Sequence, residues 1–394
     1  MKNDSLHWLM VLSVSALMCC SGNDNTNNGR STVGSGGTPS TTDNSGGSDD
    51  GGASETGGTR SSSTAGGDAA GGEASTEPGE TTECESHPGF WVDGRVLRDR
   101  CCEKVVLRGV SEMVTWSSAK DGTPYFSEIA KTGANVVRIV WLTTNSAAQL
   151  DAAIKNAVEA QLIPMPELHD ATGDLTKLSA CVDYWVDPDV VAVLQKYEDK
   201  LLVNIANEVG NGSVAREDWI AGYVSAVERM RTAGIRVPLI IDAPSWGQDI
   251  NMLQSAGPAL ITADPDRNLM FSVHMWWTDP EGTKVKTELD QSVTKNLPLI
   301  VGEFAQHNVS DCSAQGFSYQ TLLSEAQRLE VGWLAWSWGG VKNGDCAEDE
   351  PFDMTSDGTF DGLTGWGLEV AVTDPNSIQK TAVRPRYMTE GSCK

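Results

Sequence analysis

The sequence predicts an α/β fold, a single (β/α)8 TIM barrel over residues 84–394, on three observations. Eight short, nearly all-apolar runs recur along this stretch with helical segments between them, the pattern of a parallel sheet buried on both faces. Eight such units in about 310 residues favour closure into a barrel over an open doubly wound sheet. No Gly-x-Gly-x-x-Gly lies between a strand and a helix, so the nucleotide-binding alternative lacks its main signature.

In chain order, the first strand is expected over 104–110, and a helix over 125–132 follows, closed by Gly133. A second strand over 135–141 precedes a helical pattern over 147–160. Residues 162–168 form the third strand, and a polar loop with Asp170, Gly173 and Asp174 comes after it. A helix over 188–196 leads into the fourth strand, 201–206, and 217–233, stopped by Gly234, is the clearest amphipathic helix. Strands over 238–242, 268–275, 298–304 and 332–338 complete the set.

The residues before the barrel read differently. Residues 1–20 carry Lys2, the apolar run Trp8-Leu9-Met10-Val11-Leu12 and a cysteine pair, the layout of a bacterial secretory signal. Leu17-Met18-Cys19-Cys20-Ser21 also resembles a lipoprotein signal, so a secreted protein and one tethered at the cell surface through a lipidated cysteine are both expected forms. Residues 21–83 are Gly, Ser, Thr, Asn and Asp with almost no large apolar side chain, which predicts a disordered linker. A net charge of −25 over 394 residues argues against nucleic acid or an anionic membrane surface as partner and suits a neutral polymer. A monomer is expected.

Seven of the nine cysteines lie beyond the leader: Cys84, Cys101, Cys102, Cys181, Cys312, Cys346 and Cys393. The odd number implies at least one free or intermolecular thiol. Cys312 with Cys346 is the favoured pair, because both lie in loops after late strands, and adjacent Cys101 and Cys102 are not expected to bond each other. A zinc site is the weaker reading, since neither a Cys-x-x-Cys repeat nor His-x-x-x-His is present. Asp345, Asp349, Asp353 and Asp357 read as a solvated acidic loop rather than a calcium site.

Barrel active sites lie at the C-terminal ends of the strands. Those ends carry Arg138 and Trp141, His169 and Asp170, Asn207 and Glu208, Trp246, His274 and Trp276, Glu303, and Trp336. Each has a bland reading: a barrel arginine is often a buried ion-pair partner, a lone histidine a satisfied structural group, a lone tryptophan core. Trp185 and Trp219 are expected in the core, and Glu112 and Glu167 as packing or network residues. Taken together, the set points to chemistry. Glu208 and Glu303, after the fourth and seventh strands, suit acid/base and nucleophilic work on a glycosidic bond. Retention needs carboxyl groups roughly 5–5.5 Å apart, and inversion about 6.5–9.5 Å. At the shorter distance one carboxylate's charge holds a proton on the other, while Arg138 keeps the nucleophile ionised. Asn207 is placed to hydrogen-bond a sugar 2-hydroxyl, and tryptophans at the mouth suit the flat faces of pyranose rings.

The motifs resemble glycoside hydrolase family 5, and within it the bacterial endo-β-1,4-mannanases. The resemblance rests on Val137-Arg138-Ile139-Val140, Leu168-His169-Asp170-Ala171-Thr172-Gly173, Val182-Asp183-Tyr184-Trp185, Asn204-Ile205-Ala206-Asn207-Glu208 and Ile241-Asp242-Ala243. It continues through Trp246-Gly247-Gln248, Met270-Phe271-Ser272-Val273-His274-Met275, Gly302-Glu303-Phe304 and Gly332-Trp333-Leu334-Ala335-Trp336-Ser337-Trp338. It implies Glu208 as acid/base, Glu303 as nucleophile, and net retention. It further implies that Arg138 and His274 support the nucleophile, that His169 and Asn207 contact the sugar at the cleavage point, and that Trp336 is its stacking floor. Trp246 and Trp276 complete the expected substrate-binding set. Two positions depart from the family pattern: Trp276 stands where a tyrosine hydroxyl usually meets the nucleophile, and Val209 where mannanases commonly carry an aromatic. The implied activity is hydrolysis of β-1,4-mannan or glucomannan, without metal or organic cofactor. The rivals are a β-1,4-glucanase and a glycan-binding barrel without catalysis.

Overall fold

The computed structural model describes residues 87–307, 316–343 and 352–394. The leader, the linker, Cys84, Asp345, Asp349 and the Cys312–Cys346 pairing lie outside those residues. Three short strands come first, β1 (Trp91–Asp93), β2 (Val96–Arg98) and β3 (Lys104–Val105), paired antiparallel. Eight more form the barrel: β4 (Arg108–Glu112), β5 (Val136–Trp141), β6 (Ile163–Leu168), β7 (Val203–Asn204), β8 (Leu239–Asp242), β9 (Leu269–His274), β10 (Leu299–Glu303) and β11 (Gly332–Ala335). Each pairs parallel with its neighbours, and β11 closes onto β4. The (β/α)8 expectation is met.

Three strand bounds differ most from expectation, and the last strand, expected over 332–338, ends at Ala335. The run 104–110 divides, Lys104–Val105 joining the small antiparallel sheet and Arg108–Glu112 the barrel. The fourth barrel strand shrinks to Val203–Asn204 because the chain turns away into the loop that carries Glu208. Helices fill the gaps, with ends that the sequence explains. Ser146 and Gln149 form a reciprocal capping box on Ala147–Glu159, and Asp187 caps Pro188–Lys196 with proline in its first turn. Among the described residues, no helix is long and apolar enough to cross a membrane.

The period-2 alternation of the strands decides what points into the barrel. Val136 and Arg138 share a face, as do Ile163, Met165 and Glu167; Leu202 and Asn204; Ile240 and Asp242; and Met270, Ser272 and His274. Toward the N-terminal ends this face is apolar: Leu107, Val136, Ile163, Met165, Leu202, Ile240, Met270, Ile300 and Leu334 form one buried cluster, joined by Phe90, Leu97 and Val105 from in and around the small sheet. Toward the C-terminal ends the same face turns polar. The barrel is therefore filled by an apolar plug with a charged layer above it, and the outer faces of the strands pack on the helices through a second, larger cluster.

Cys101 is bonded to Cys393, joining positions 292 residues apart, and Cys102 is also disulfide-bonded. Cys181 is a free, buried thiol.

Candidate active site

Arg138 lies at the centre of the charged layer and is fully buried. Its Nη1 donates to Glu303 Oε1 at 2.6 Å and its Nη2 to Asn207 Oδ1 at 2.6 Å. The same guanidinium lies 3.6 Å from Asp242 and 3.7 Å from Glu167. Glu303 is brought to this point by an irregularity: the β9–β10 register shifts between Val301 and Glu303, which sets Glu303 opposite His274. Gly302 sits at the shift, where a Cβ would press on Ser272 and come 3.0 Å from His274 Nε2.

Glu208 arrives by a different route. Its φ is +49°, a left-handed conformation that a side chain rarely adopts, and Gly210 follows at φ +96°. The turn is held from both sides: the Glu208 N–H donates to Asp242 Oδ2 at 3.2 Å, and the Gly173 N–H donates to the Glu208 carbonyl at 2.9 Å. The next loop is left-handed at Ser245, Trp246 and Gly247, and the Gly247 carbonyl accepts the His274 N–H at 2.7 Å. A Cβ on Gly247 would meet His274 Cγ at 2.6 Å, so glycine there makes room for the imidazole.

His274 joins the two glutamates. Its Nδ1 is 2.7 Å from Glu208 Oε1 and 3.3 Å from Glu303 Oε2. Nε2 lies 3.4 Å from Asp242 Oδ2, off the line of a hydrogen bond. A carboxylate oxygen of Glu208 lies within 4.8 Å of one of Glu303. The family resemblance implies that His274 supports the nucleophile; it reaches Glu303, but its shorter contact is with Glu208. Trp276 also meets Glu303, its indole N–H donating to Oε2 at 3.1 Å.

Four buried carboxylates, Glu167, Glu208, Asp242 and Glu303, thus surround two cations, Arg138 and His274. Burial by itself drives His274 toward its neutral form, but the Glu303, Asp242 and Glu208 carboxylates outweigh burial and hold it up to about 10. Burial opposes ionisation of Asp242 as well, yet His274, Arg138 and the Asn204 amide bring it down to about 2. Glu303 is raised above the ordinary carboxylate range, by burial first and by the Glu208 charge, with His274 and Arg138 pulling against both.

Linkage gives this arrangement a pH signature. A histidine raised from 6.5 to about 10 keeps, in the folded state, a proton that the unfolded chain has released. Its contribution is complete below 6.5 and is lost as pH rises toward 10. The melting temperature is therefore expected to fall between about pH 8 and 10, more steeply in the wild type than in His274→Gln. Equal slopes in calorimetry would contradict the assignment.

The remaining predicted residues lie around this centre. His169 Nδ1 is 2.9 Å from Glu167 Oε1, and its ring lies nearly parallel to Trp336, with centroids 5.9 Å apart and 16° between planes. Trp336 is 8% exposed and donates to Asn343 Oδ1 at 3.1 Å. Asn207 also donates to Thr172 Oγ1 at 2.9 Å, leaving one amide hydrogen for a ligand. Trp246, 39% exposed, stands at the rim, outside the carboxylate cluster. Asp170 holds a loop instead, accepting from the Thr143 N–H and hydroxyl at 2.9 and 2.8 Å. Asp242 and Asn204, bonded at 2.7 Å, are further members of the network, outside the residues expected there from the sequence. Of the acidic-loop residues, Asp353 accepts from Asn343, and Asp357 accepts from Thr359.

Comparison with known proteins follows the same lines. Residues 99–342 match the family described as Cellulase (glycosyl hydrolase family 5). A mannan endo-1,4-beta-mannosidase of Cellvibrio japonicus is 33% identical over 306 residues, covering 75% of this chain and 68% of its own length. The enzyme of the same name from Salipaludibacillus agaradhaerens is 32% identical over 312 residues, covering 77% and 96%. Among solved structures, the mannohexaose complex of a Thermomonospora fusca β-mannanase superposes with a TM-score of 0.67 at 30% identity, over 76% of this chain and 99% of its own.

Proposed function

This chain belongs to glycosyl hydrolase family 5, and we propose on that premise that it is an endo-β-1,4-mannanase acting on mannan or glucomannan with net retention. The observation that carries the reading is the buried pair Glu208 and Glu303, with oxygens within 4.8 Å, bridged by His274. That separation suits double displacement, in which carboxyl groups stand roughly 5–5.5 Å apart, and falls short of the about 6.5–9.5 Å of single displacement by water. Glu303 attacks the anomeric carbon as the glycosidic C–O bond breaks and Glu208 gives its proton to the leaving oxygen. A water then attacks the glycosyl ester, Glu208 takes the water's proton, and the Glu303 carboxylate is restored. Glu208 is the more exposed of the two, which suits the member that exchanges protons with the leaving group and water.

Endo action draws support from the two flanks of the pair. On the β11–β6 half of the mouth, Trp336, His169 and Trp116 form an aromatic group. On the other half, Trp246 stands beside a cavity of about 160 Å³ between the loops after β7, β8 and β9, lined by Asn211, Ser245, Gln248, Asp249 and Lys284 among others. Sugar units on both sides of the cleaved bond thus have surfaces to lie on. The mannan assignment leans on the relatives named above, and the polymer lies outside the cell, where the leader at residues 1–20 would deliver the enzyme in secreted or surface-tethered form.

The test is reducing-sugar release and viscosity loss on unbranched mannan, glucomannan and soluble cellulose in parallel. Release from the first two, with viscosity falling ahead of reducing ends, is expected. Release from cellulose alone would overturn the mannan assignment, and no release from any would overturn the reaction.

A further inference from the structure

The mechanism above assigns nothing to Trp276, yet this side chain is bonded directly to the group that attacks. Its Nε1–H points at Glu303 Oε2 from 3.1 Å, and the residue is 6% exposed. The contact is built in at the backbone, because the Met275 N–H donates to the Glu303 carbonyl at 2.8 Å, fixing the chain one residue before Trp276 to Glu303 itself. On the other side, the Trp277 indole donates to the Gln248 carbonyl at 3.2 Å. Phe352 meets the Trp276 ring edge-on, with centroids 5.5 Å apart and 76° between planes.

We propose that Trp276 is a positioning residue whose indole N–H orients the Glu303 carboxylate for attack and stays bonded to it through the glycosyl-ester intermediate. The proposal rests on Glu303 being the nucleophile. The physical reason lies in the last torsion of the glutamate, which is broad and roughly two-fold and so leaves the carboxylate plane undetermined. One donor would leave that plane free to swing. Two donors, one on each oxygen, fix it: Arg138 Nη1 holds Oε1 at 2.6 Å, and Trp276 holds Oε2. The lone pair that forms the new bond is then aimed before the substrate arrives, and a misplacement of about 1 Å at such a centre can cost 10²-fold in rate.

The choice of indole matters. It offers one donor and no acceptor, so it can neither accept a proton from His274 or Glu208 nor turn its polarity when the carboxylate becomes an ester. Both ester oxygens keep acceptor lone pairs, so both donors remain satisfied while the C–O bond to the sugar forms and later breaks. The same N–H favours the ionised nucleophile, against the burial that works the other way.

Three full-length proteins test this on mannohexaose: wild type, Trp276→Phe, which keeps an aromatic ring and loses the donor, and Trp276→Tyr, which restores one as a hydroxyl. Trp276→Phe is expected to lower kcat roughly 10–100-fold with KM little changed. The acid limb of its kcat/KM profile should move to higher pH, because Glu303 has lost a partner of its charged form. Trp276→Tyr should recover part of both. Wild-type kcat and an unmoved acid limb in Trp276→Phe would overturn the proposal. So would equal losses in both variants with the limb unmoved, which is the signature of packing alone. An activity-free measurement separates this from the substrate assignment: the Trp276 indole ¹⁵N–¹H resonance, identified by its loss in Trp276→Phe, should move upfield in Glu303→Gln. An unmoved resonance would sink the contact even if mannan is hydrolysed. A shifted resonance in a protein inactive on mannan would leave the contact standing and sink the mannanase reading.

Discussion

Replacing Glu303 by glutamine is expected to lower mannan hydrolysis by on the order of 10⁴-fold or more while the barrel stays folded. The amide has the carboxylate's shape but is a far poorer nucleophile, so the first displacement loses its attacking group. Stability should not suffer, because the substitution removes one of four carboxylates that share Arg138 and His274. Indeed one oxygen can still accept from Arg138. The companion change, Glu208→Gln, separates the roles. It should cost about 10²–10⁴-fold on mannan, but much less on an aryl mannoside whose leaving group needs no proton. Equal losses for Glu208→Gln on both substrates would contradict the acid/base assignment, and a Glu303→Gln enzyme within tenfold of wild type would contradict the nucleophile.

Arg138→Leu is expected to have the largest effect on folding of any single change at the site. The guanidinium is fully buried and provides short bonds to Glu303 and Asn207 and the nearest positive charge to Asp242 and Glu167. Without it, the buried carboxylates retain only His274 and, beside Glu167, His169, and breaking a buried pair in this way costs about 3–5 kcal/mol. The surplus charge would be relieved by protonating carboxyl groups, Glu303 among them, so activity should vanish with stability. Arg138→Lys isolates geometry from charge. Its compact ammonium lacks the planar fork that reaches Glu303 and Asn207 from separate nitrogens, so the protein should fold while kcat falls on the order of 10²-fold. Thermal melts followed by circular dichroism, with kcat/KM on mannohexaose, check both variants. A leucine variant that melts like the wild type would show that the charged layer is balanced by other means.

The barrel was legible because its signals are local: apolar runs of strand length, spacers of helix length, and polar residues at one end only. What a strand's neighbours contribute is not local. The break at Val106–Leu107 between β3 and β4 is hidden inside one apolar run, since nothing in that run marks where antiparallel pairing gives way to parallel, and β1 and β2 ahead of it are three residues each, too short to show a pattern. Asp242 and Asn204 could have been found by counting in twos from the apolar interior residues Ile240 and Leu202, because the alternation that buries those carries the polar pair into the same lumen. Glu167 was read as a network residue, and it is one, facing both Arg138 and His169.

Other features belong to tertiary structure alone. No spacing in the chain indicates that Cys101 reaches Cys393, since connectivity follows from where the fold brings the termini of the domain. Nor does it indicate that His274 approaches Glu208 more closely than Glu303, which depends on the room made by Gly247. Trp276 is visible in the sequence as a departure from the family pattern, the loss of a hydroxyl. The structure supplies a different donor from the same position, the indole N–H.

The most direct test of the central claim is the anomeric configuration of the first product, followed by proton NMR during early hydrolysis of mannohexaose. Two displacements at one carbon return the β configuration, so the new reducing end should appear as the β anomer and only later equilibrate by mutarotation. Initial appearance of the α anomer would mean a single displacement by water, and it would contradict the role given to Glu303.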